Sequence, residues 1–108
     1  MDKGQIRKIL DANAGLNFVQ RIIAPDQFPV LPLGKGRYAT HKMSYATDDG
    51  GAFVYPTVIQ DAKTGQLIPL DGKRAMRHAI ETGEMIRFKD QSEAAWFSEH
   101  YKDYWNAK

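Results

Sequence analysis

The sequence predicts an α+β fold in which a small antiparallel sheet, built on a central hairpin, is covered by two C-terminal helices and preceded by a helical N-terminal arm. Residues 36–61 alternate side-chain character around a Gly-rich turn, which is typical of a β-hairpin. Residues 72–82 and 91–104 place apolar side chains at helical spacing instead. A chain of 108 residues, 43% of them apolar, can build one modest core but not two.

The arm begins with a short amphipathic helix, because Ile6, Ile9 and Leu10 recur at helical spacing, and Asp2 can cap it. A second short helix is predicted before Pro25, because the residue that precedes a proline disfavours helical geometry. Its polar side carries Gln20 and Arg21, and its apolar side carries Phe18, Val19, Ile22 and Ile23.

From residue 25 to residue 36, three prolines and two glycines exclude regular structure, although the intervening side chains are apolar. We therefore predict a packed, extended connection. The chain is interpreted as a single domain, 1–108, that consists of a helical and Pro-rich arm, 1–35, and an α+β core, 36–108.

The central hairpin is predicted from strands at 36–47 and 52–61, which are joined through Asp-Gly and Gly-Gly steps. Pro56 cannot donate a ladder hydrogen bond, so it predicts an edge position or a bulge for the second strand. Residues 66–70 are predicted to supply a short third strand.

Both C-terminal helices carry start signals. Asp71 can cap the first helix and Gly83 can end it in the left-handed conformation, while Asp90 opens a capping-box pattern before the second helix. Residues 85–88 between the helices are predicted to be extended. The buried stripe of the first helix is predicted to hold Ala75, Met76, Ala79 and Ile80.

Composition excludes several classes of protein. Fifteen Lys and Arg against thirteen Asp and Glu leave a net charge of +2, which is not typical of a nucleic-acid binder. The absence of cysteine excludes a disulfide scaffold, a thiolate zinc site and a cysteine nucleophile. No stretch approaches the roughly 18 apolar residues of a membrane span, so no membrane is expected as a partner.

No convergent catalytic set is visible. His41, His78 and His100 fall one to a segment without metal-ligand spacing, and the last two are predicted to lie on solvated helix faces. Asp48 and Asp49 are adjacent in a turn, whereas glycoside hydrolysis needs carboxylates about 5–10 Å apart. The sequence therefore predicts no catalytic residue, no metal site and no cofactor.

Binding candidates come from three patterns. His41 lies in mid-strand beside Lys42, and Tyr55 can stand opposite, although a structural histidine is the alternative. The aromatic side chains of the last helix are expected in the core, with Trp105 the most available to a partner. A basic cluster, which can contact phosphate or an acidic protein or can simply be solvated, comprises Lys73, Arg74, Arg77, Arg87 and Lys89. The candidate binding residues are His41, Lys42, Tyr55, Arg74, Arg77, Arg87 and Trp105.

Four blocks occur in a recognisable order: FVQRI at 18–22, GRYATHKM at 36–43, VYPTV at 54–58 and AAWFS at 94–98, followed by Tyr101 and Trp105. Together they resemble a small domain of tailed bacteriophages that occurs alone and within very large virion-associated or polyvalent proteins, beside lytic transglycosylase modules. The resemblance implies a phage origin, an accessory or virion-linked role and a location in the virion or the host cytoplasm. It implies no catalytic residue.

The function expected from these observations is a non-enzymatic module that binds a protein partner from phage or host, and a homo-oligomer also stays open. The alternative is a small hydrolase or cell-wall-binding accessory linked to peptidoglycan degradation, with Thr40, His41 and Tyr55 near one sheet surface. A third interpretation is a host-directed inhibitor of a nuclease or defence enzyme. Its DNA-mimic version is disfavoured, because DNA mimics are usually strongly acidic and this chain has a net charge of +2.

Overall fold

A computed structural model describes residues 3–34, 37–39 and 42–106, and confirms the predicted α+β class. The predictions made for Asp2, Gly36, Thr40 and His41 lie outside the described residues. The helices are α1 (Lys3–Ala12), α2 (Asn17–Ile23), α3 (Gly72–Thr82) and α4 (Gln91–His100). The strands are β1 (Leu31–Gly34), β2 (Arg37–Ala39), β3 (Met43–Asp48), β4 (Gly51–Pro56), β5 (Val58–Gln60), β6 (Leu67–Pro69) and β7 (Ile86–Phe88).

The main sheet has three antiparallel strands in the order β3-β4-β7. The predicted hairpin forms its centre, since β3 and β4 pair from Met43 opposite Pro56 to Asp48 opposite Gly51. The segment predicted only as extended, 85–88, supplies the third strand, with Val54 opposite Ile86. The strand predicted at 66–70 pairs instead as β6 with β5, in a separate two-stranded sheet.

Pro56 does not mark an edge strand, because β4 lies between β3 and β7. Pro56 is the last residue of β4 and lies beyond the final β4–β7 pair at Val54, so its missing N–H costs no bond to β7. The predicted long second strand is broken at this point, and the chain resumes as β5 at Val58.

The segment from Pro25 to Gly34 is more regular than predicted. A 3₁₀ turn spans Pro25–Gln27, and β1 then pairs antiparallel with β2, with a register shift between Pro32 and Gly34. In the described part of the chain β1 has β2 as its one strand partner, and an edge strand tolerates a proline.

The main sheet has helices on both faces. Ala52, Val54 and Ile86 point into the main core, where α1, α2 and α4 pack. Phe53 and Tyr55 point to the opposite face and contact the small side chains of α3. The two predicted arm helices thus belong to the main core, to which they contribute Ile6, Leu10, Phe18, Val19 and Ile22.

The helix ends follow the predicted capping signals. The Asp71 Oδ1 accepts from the Arg74 N–H at 3.0 Å, and Gly83 ends α3 at φ 76°. The Asp90 Oδ1 accepts from the Glu93 N–H at 3.0 Å. The last helix is shorter than predicted, because the chain tightens into a 3₁₀ helix at Tyr101–Asn106.

Arg21, predicted on the polar side of its helix, is fully buried. Its Nε donates to the Asn17 Oδ1 at 2.9 Å and its Nη2 to the Val58 carbonyl at 2.8 Å. The Glu84 Oε1 lies 4.0 Å from Nη2 and accepts from the Phe18 N–H at 2.8 Å. Burial lowers the pKa of Arg21, and the charge of Glu84 opposes this shift. The arginine therefore joins α2 to β5 and to the segment that precedes β7.

No helix in the described part of the chain is long and apolar enough to span a membrane.

Candidate functional site

An open groove of about 680 Å³ runs along α3 and is a candidate site. Its apolar lining consists of Tyr55, Met76 and Ile80. Its charged lining consists of Lys73, Arg77 and Glu81. We call this site the α3 groove.

The spacing of residues on α3 creates the groove. Ala75 and Ala79 contact the sheet and are fully buried, so that their small side chains let the helix approach Phe53 and Tyr55. Ile80, one position further along the helix, is 63% exposed, although it was predicted in the buried stripe. In the described part of the chain no element covers the side of α3 that carries Ile80, so the stripe is wider than the sheet beneath it.

The charged lining carries a net positive charge. Neither Lys73 nor Arg77 forms an ion pair with any side chain that the structure describes, and the same holds for Glu81. Arg74, by contrast, holds the Asp71 carboxylate with Nε at 3.0 Å from Oδ2. Lys73 and Arg77, which form no ion pair with a described side chain, therefore lie beside exposed apolar surface.

The structure divides the predicted basic cluster. Arg77 lines the α3 groove with Tyr55, while Arg74 is occupied at the helix start by Asp71. Arg87 reaches across the sheet to Asp48, with Nη2 at 2.7 Å from Oδ2, and its guanidinium lies 5.6 Å from the centroid of the Phe53 ring. The hydrogen bond from Arg87 is the largest cause that lowers the pKa of Asp48.

Of the other predicted binding residues, Lys42 is described and does not line the groove. Lys42 is exposed, and its carbonyl accepts from the Thr57 N–H at 2.9 Å. His41 lies outside the described residues, as does the side chain of Trp105. The predicted grouping of His41 with Tyr55 therefore stays a prediction.

The remaining histidines have local roles. The prediction of a solvated His78 is wrong, since it is half-buried and its Nδ1 has no hydrogen-bond partner among the described atoms. The His100 ring stacks on Trp96 at 4.7 Å between centroids, and its Nδ1 lies 3.7 Å from the Asp103 Oδ2. Within the described residues no group of three His, Asp or Glu side chains could hold a metal ion.

A second, smaller groove of about 400 Å³ lies between α1 and β7. Ile9 and Phe88 contribute apolar surface to it, and Lys8, Lys89 and Glu93 contribute charge. It brings Arg87 and Lys89 of the predicted basic cluster together with Lys8 of α1, but its lining includes none of the three cluster residues on α3.

The core prediction is confirmed for Met76 and wrong for Ile80. Both were assigned to the core because they extend the alanine stripe; Met76 packs against the core beneath α3 and also lines the groove, whereas Ile80 is exposed. The available signal was the width of that stripe, because the large side chains stand to one side of the small ones and share that side with Lys73 and Arg77.

In comparisons with protein-family models, with curated proteins and with solved structures, this chain matches none.

Proposed function

We propose that this chain is a non-enzymatic protein-binding module, and that the α3 groove takes an apolar segment of a partner that is flanked by acidic side chains. The observation that carries the proposal is the exposure of Ile80, 63%, in an apolar groove beside two cations that form no ion pair with a described side chain. An apolar side chain left in water beside a groove is typical of a docking surface.

The energetics favour such a ligand. Because Ile80 is 63% exposed, covering it is worth about 1–2 kcal/mol, which corresponds to about tenfold in affinity. Acidic side chains that meet Lys73 and Arg77 would steer association and fix the orientation of the bound segment. A basic segment would gain from Glu81 alone and be repelled by the two cations.

The chemistry of the lining also favours binding. Glu81 is the one carboxylate among the described lining residues, and it is exposed. Tyr55, Lys73 and Glu81 could each exchange a proton, but among the described residues no hydrogen bond or ion pair joins one of them to another, so the lining holds no positioned acid–base pair.

The resemblance to a small domain of tailed bacteriophages supports the biological half of the proposal. On that interpretation the chain is an accessory or virion-associated phage protein, it acts in the virion or in the host cytoplasm, and its partner is a phage or host protein.

Selection from a displayed library of random 12-residue peptides tests the proposal. We expect enriched peptides to carry apolar side chains next to Asp or Glu. Ile80→Asp should weaken their binding by about tenfold or more. Ile68→Asp is the matched control, because Ile68 is an exposed isoleucine on β6, away from the groove lining, and its substitution should leave affinity unchanged.

Peptides that bind both aspartate variants equally, or a selection that enriches nothing, would contradict the α3 groove as the docking surface. Turnover of peptidoglycan by the purified protein would contradict the non-enzymatic half of the proposal and favour the hydrolase interpretation.

A further inference from the structure

The outer edge of β3 is the longest unpaired strand edge of the main sheet in the described part of the chain. β3 has six residues and pairs with β4 along one edge, while no described strand pairs with the other. None of its side chains is fully buried, whereas most of those on β4 are. Such an edge presents a row of backbone donors and acceptors to another strand.

The usual features that block pairing are missing from the middle of β3. From Met43 to Thr47 the strand contains no proline and no charged residue. The charges stand at its two ends, with Lys42 just before the strand and Asp48 as its last residue. Tyr45, at the midpoint between these charges, is 36% exposed.

This pattern is complementary to itself. When two copies of β3 run antiparallel with Tyr45 opposite Tyr45, Lys42 of each copy stands opposite Asp48 of the other. The remaining pairs, Met43 with Thr47 and Ser44 with Ala46, match residues that point to the same sheet face. An aromatic pair at the centre and two ion pairs at the ends then fix a single register.

We infer that the outer edge of β3 binds a second copy of this chain across a two-fold axis at Tyr45, which joins two main sheets into one six-stranded antiparallel sheet. A two-fold interface uses the same surface on both copies, which is what this self-complementary edge provides. The inference does not depend on the α3 groove, whose lining includes no residue of β3.

Asp48 can make the new contact and keep its present ones. Its carboxylate holds Arg87 and accepts from the Gly50 N–H at 2.9 Å. Two carboxylate oxygens offer about four lone-pair sites, and the residue is exposed, so that a lysine of the second copy has room to bind.

The other edge of the main sheet does not suit a second copy. β7 has three residues, and a two-fold axis at its centre would place Arg87 opposite Arg87. Like charges directly opposite one another destabilise a strand pair. Self-association through the sheet is therefore expected at β3.

Oxidative crosslinking tests the inference directly, because the chain has no cysteine of its own. Cα atoms that stand opposite in an antiparallel pair are about 4.5–5.5 Å apart, within the range of a disulfide. Tyr45→Cys should form covalent dimers at least about tenfold faster than Ile68→Cys at micromolar protein, since pairing raises the effective concentration of the thiols. Ile68 is a fitting control because it is 37% exposed and also lies on a strand. Equal rates for the two variants would overturn the inference.

A charge exchange provides a second, independent test by sedimentation. Lys42→Glu places a carboxylate opposite Asp48 of the other copy, and Asp48→Lys places an ammonium group opposite Lys42, so like charges meet at both ends of the strand pair. Each variant should therefore sediment as a monomer under conditions where the wild type dimerises.

A mixed dimer contains one Lys42→Glu copy and one Asp48→Lys copy. One end of its strand pair carries the wild-type pair of Lys42 with Asp48, and the other end carries the introduced glutamate opposite the introduced lysine. Opposite charges meet at both ends, so the mixture should restore a dimer. Wild-type protein that stays monomeric, or single variants that dimerise as the wild type does, would overturn the inference.

Discussion

Arg21 illustrates how far the surroundings of one residue depend on the rest of the fold. Its position beside Gln20 predicts a solvated side chain, but the side chain of Arg21 is fully buried. Hydrogen bonds to Asn17 and Val58 and the nearby charge of Glu84 replace its hydration. Val58 and Glu84 come from distant segments, so the local sequence pattern does not show these two partners.

The buried arginine should therefore contribute far more to the free energy of unfolding than an exposed one. Arg21→Ala should lower the free energy of unfolding by about 3–5 kcal/mol, since it leaves buried partners without a donor. Arg74→Ala, which breaks the exposed pair with Asp71, should cost no more than about 1 kcal/mol. Urea denaturation of both variants measures the difference, and equal losses would contradict the buried network.

The burial of Tyr101 predicts that the free energy of unfolding depends on pH. Burial raises its pKa from 10.0 to about 12, because the phenolate is disfavoured in the core. The contribution of Tyr101 to the free energy of unfolding is therefore fully present below pH 10. It is lost as the pH rises from 10 towards 12, because the unfolded chain releases the phenol proton in this range while the folded chain keeps it.

Urea denaturation of the wild type and of Tyr101→Phe across this range checks the sign. The free energy of unfolding of the wild type should fall more steeply than that of the variant between pH 10 and pH 12. Parallel curves would contradict the burial of the Tyr101 hydroxyl.

At the scale of the elements, the sequence predicted the features that depend on neighbouring residues, which are the helix ends and the hairpin turn. The caps at Asp71 and Asp90, the stop at Gly83 and the hairpin turn all follow from side chains within a few residues of the feature. The third strand of the main sheet did not follow from such signals. β7 is short, and its partner β4 lies before α3 in the chain, so only tertiary packing selects it over β6.

Gly51 holds β4 and β7 together at close range. Its φ is 129°, and a Cβ at this position would lie 2.7 Å from the Phe88 carbonyl oxygen. Gly65 also has a positive φ, 74°, but a Cβ there would meet nothing within 4 Å. Gly51→Ala should therefore destabilise the protein by at least about 1 kcal/mol more than Gly65→Ala, because backbone atoms must move. Thermal or urea unfolding of the two variants decides this, and equal effects would contradict the close approach.

At the scale of the whole molecule, the candidate site could be predicted only in part. Tyr55 and Arg77 were both selected from the sequence, and the fold brings them to one groove. Met76 and Ile80 were both assigned to the core, and the assignment is wrong for Ile80, because periodicity gives the direction of a side chain and not what covers it. Whether an apolar stripe becomes core or binding surface depends on the width of the sheet beneath it.

The most direct test of the central claim, that the α3 groove is the docking surface, is backbone amide NMR of the protein with a peptide from the library selection. We expect the largest shift changes at Tyr55 and in residues 72–81, with much smaller changes in Ile80→Asp when the peptide concentration is near its Kd for the wild type. Changes centred on the groove between α1 and β7, with the α3 amides unmoved, would contradict the claim.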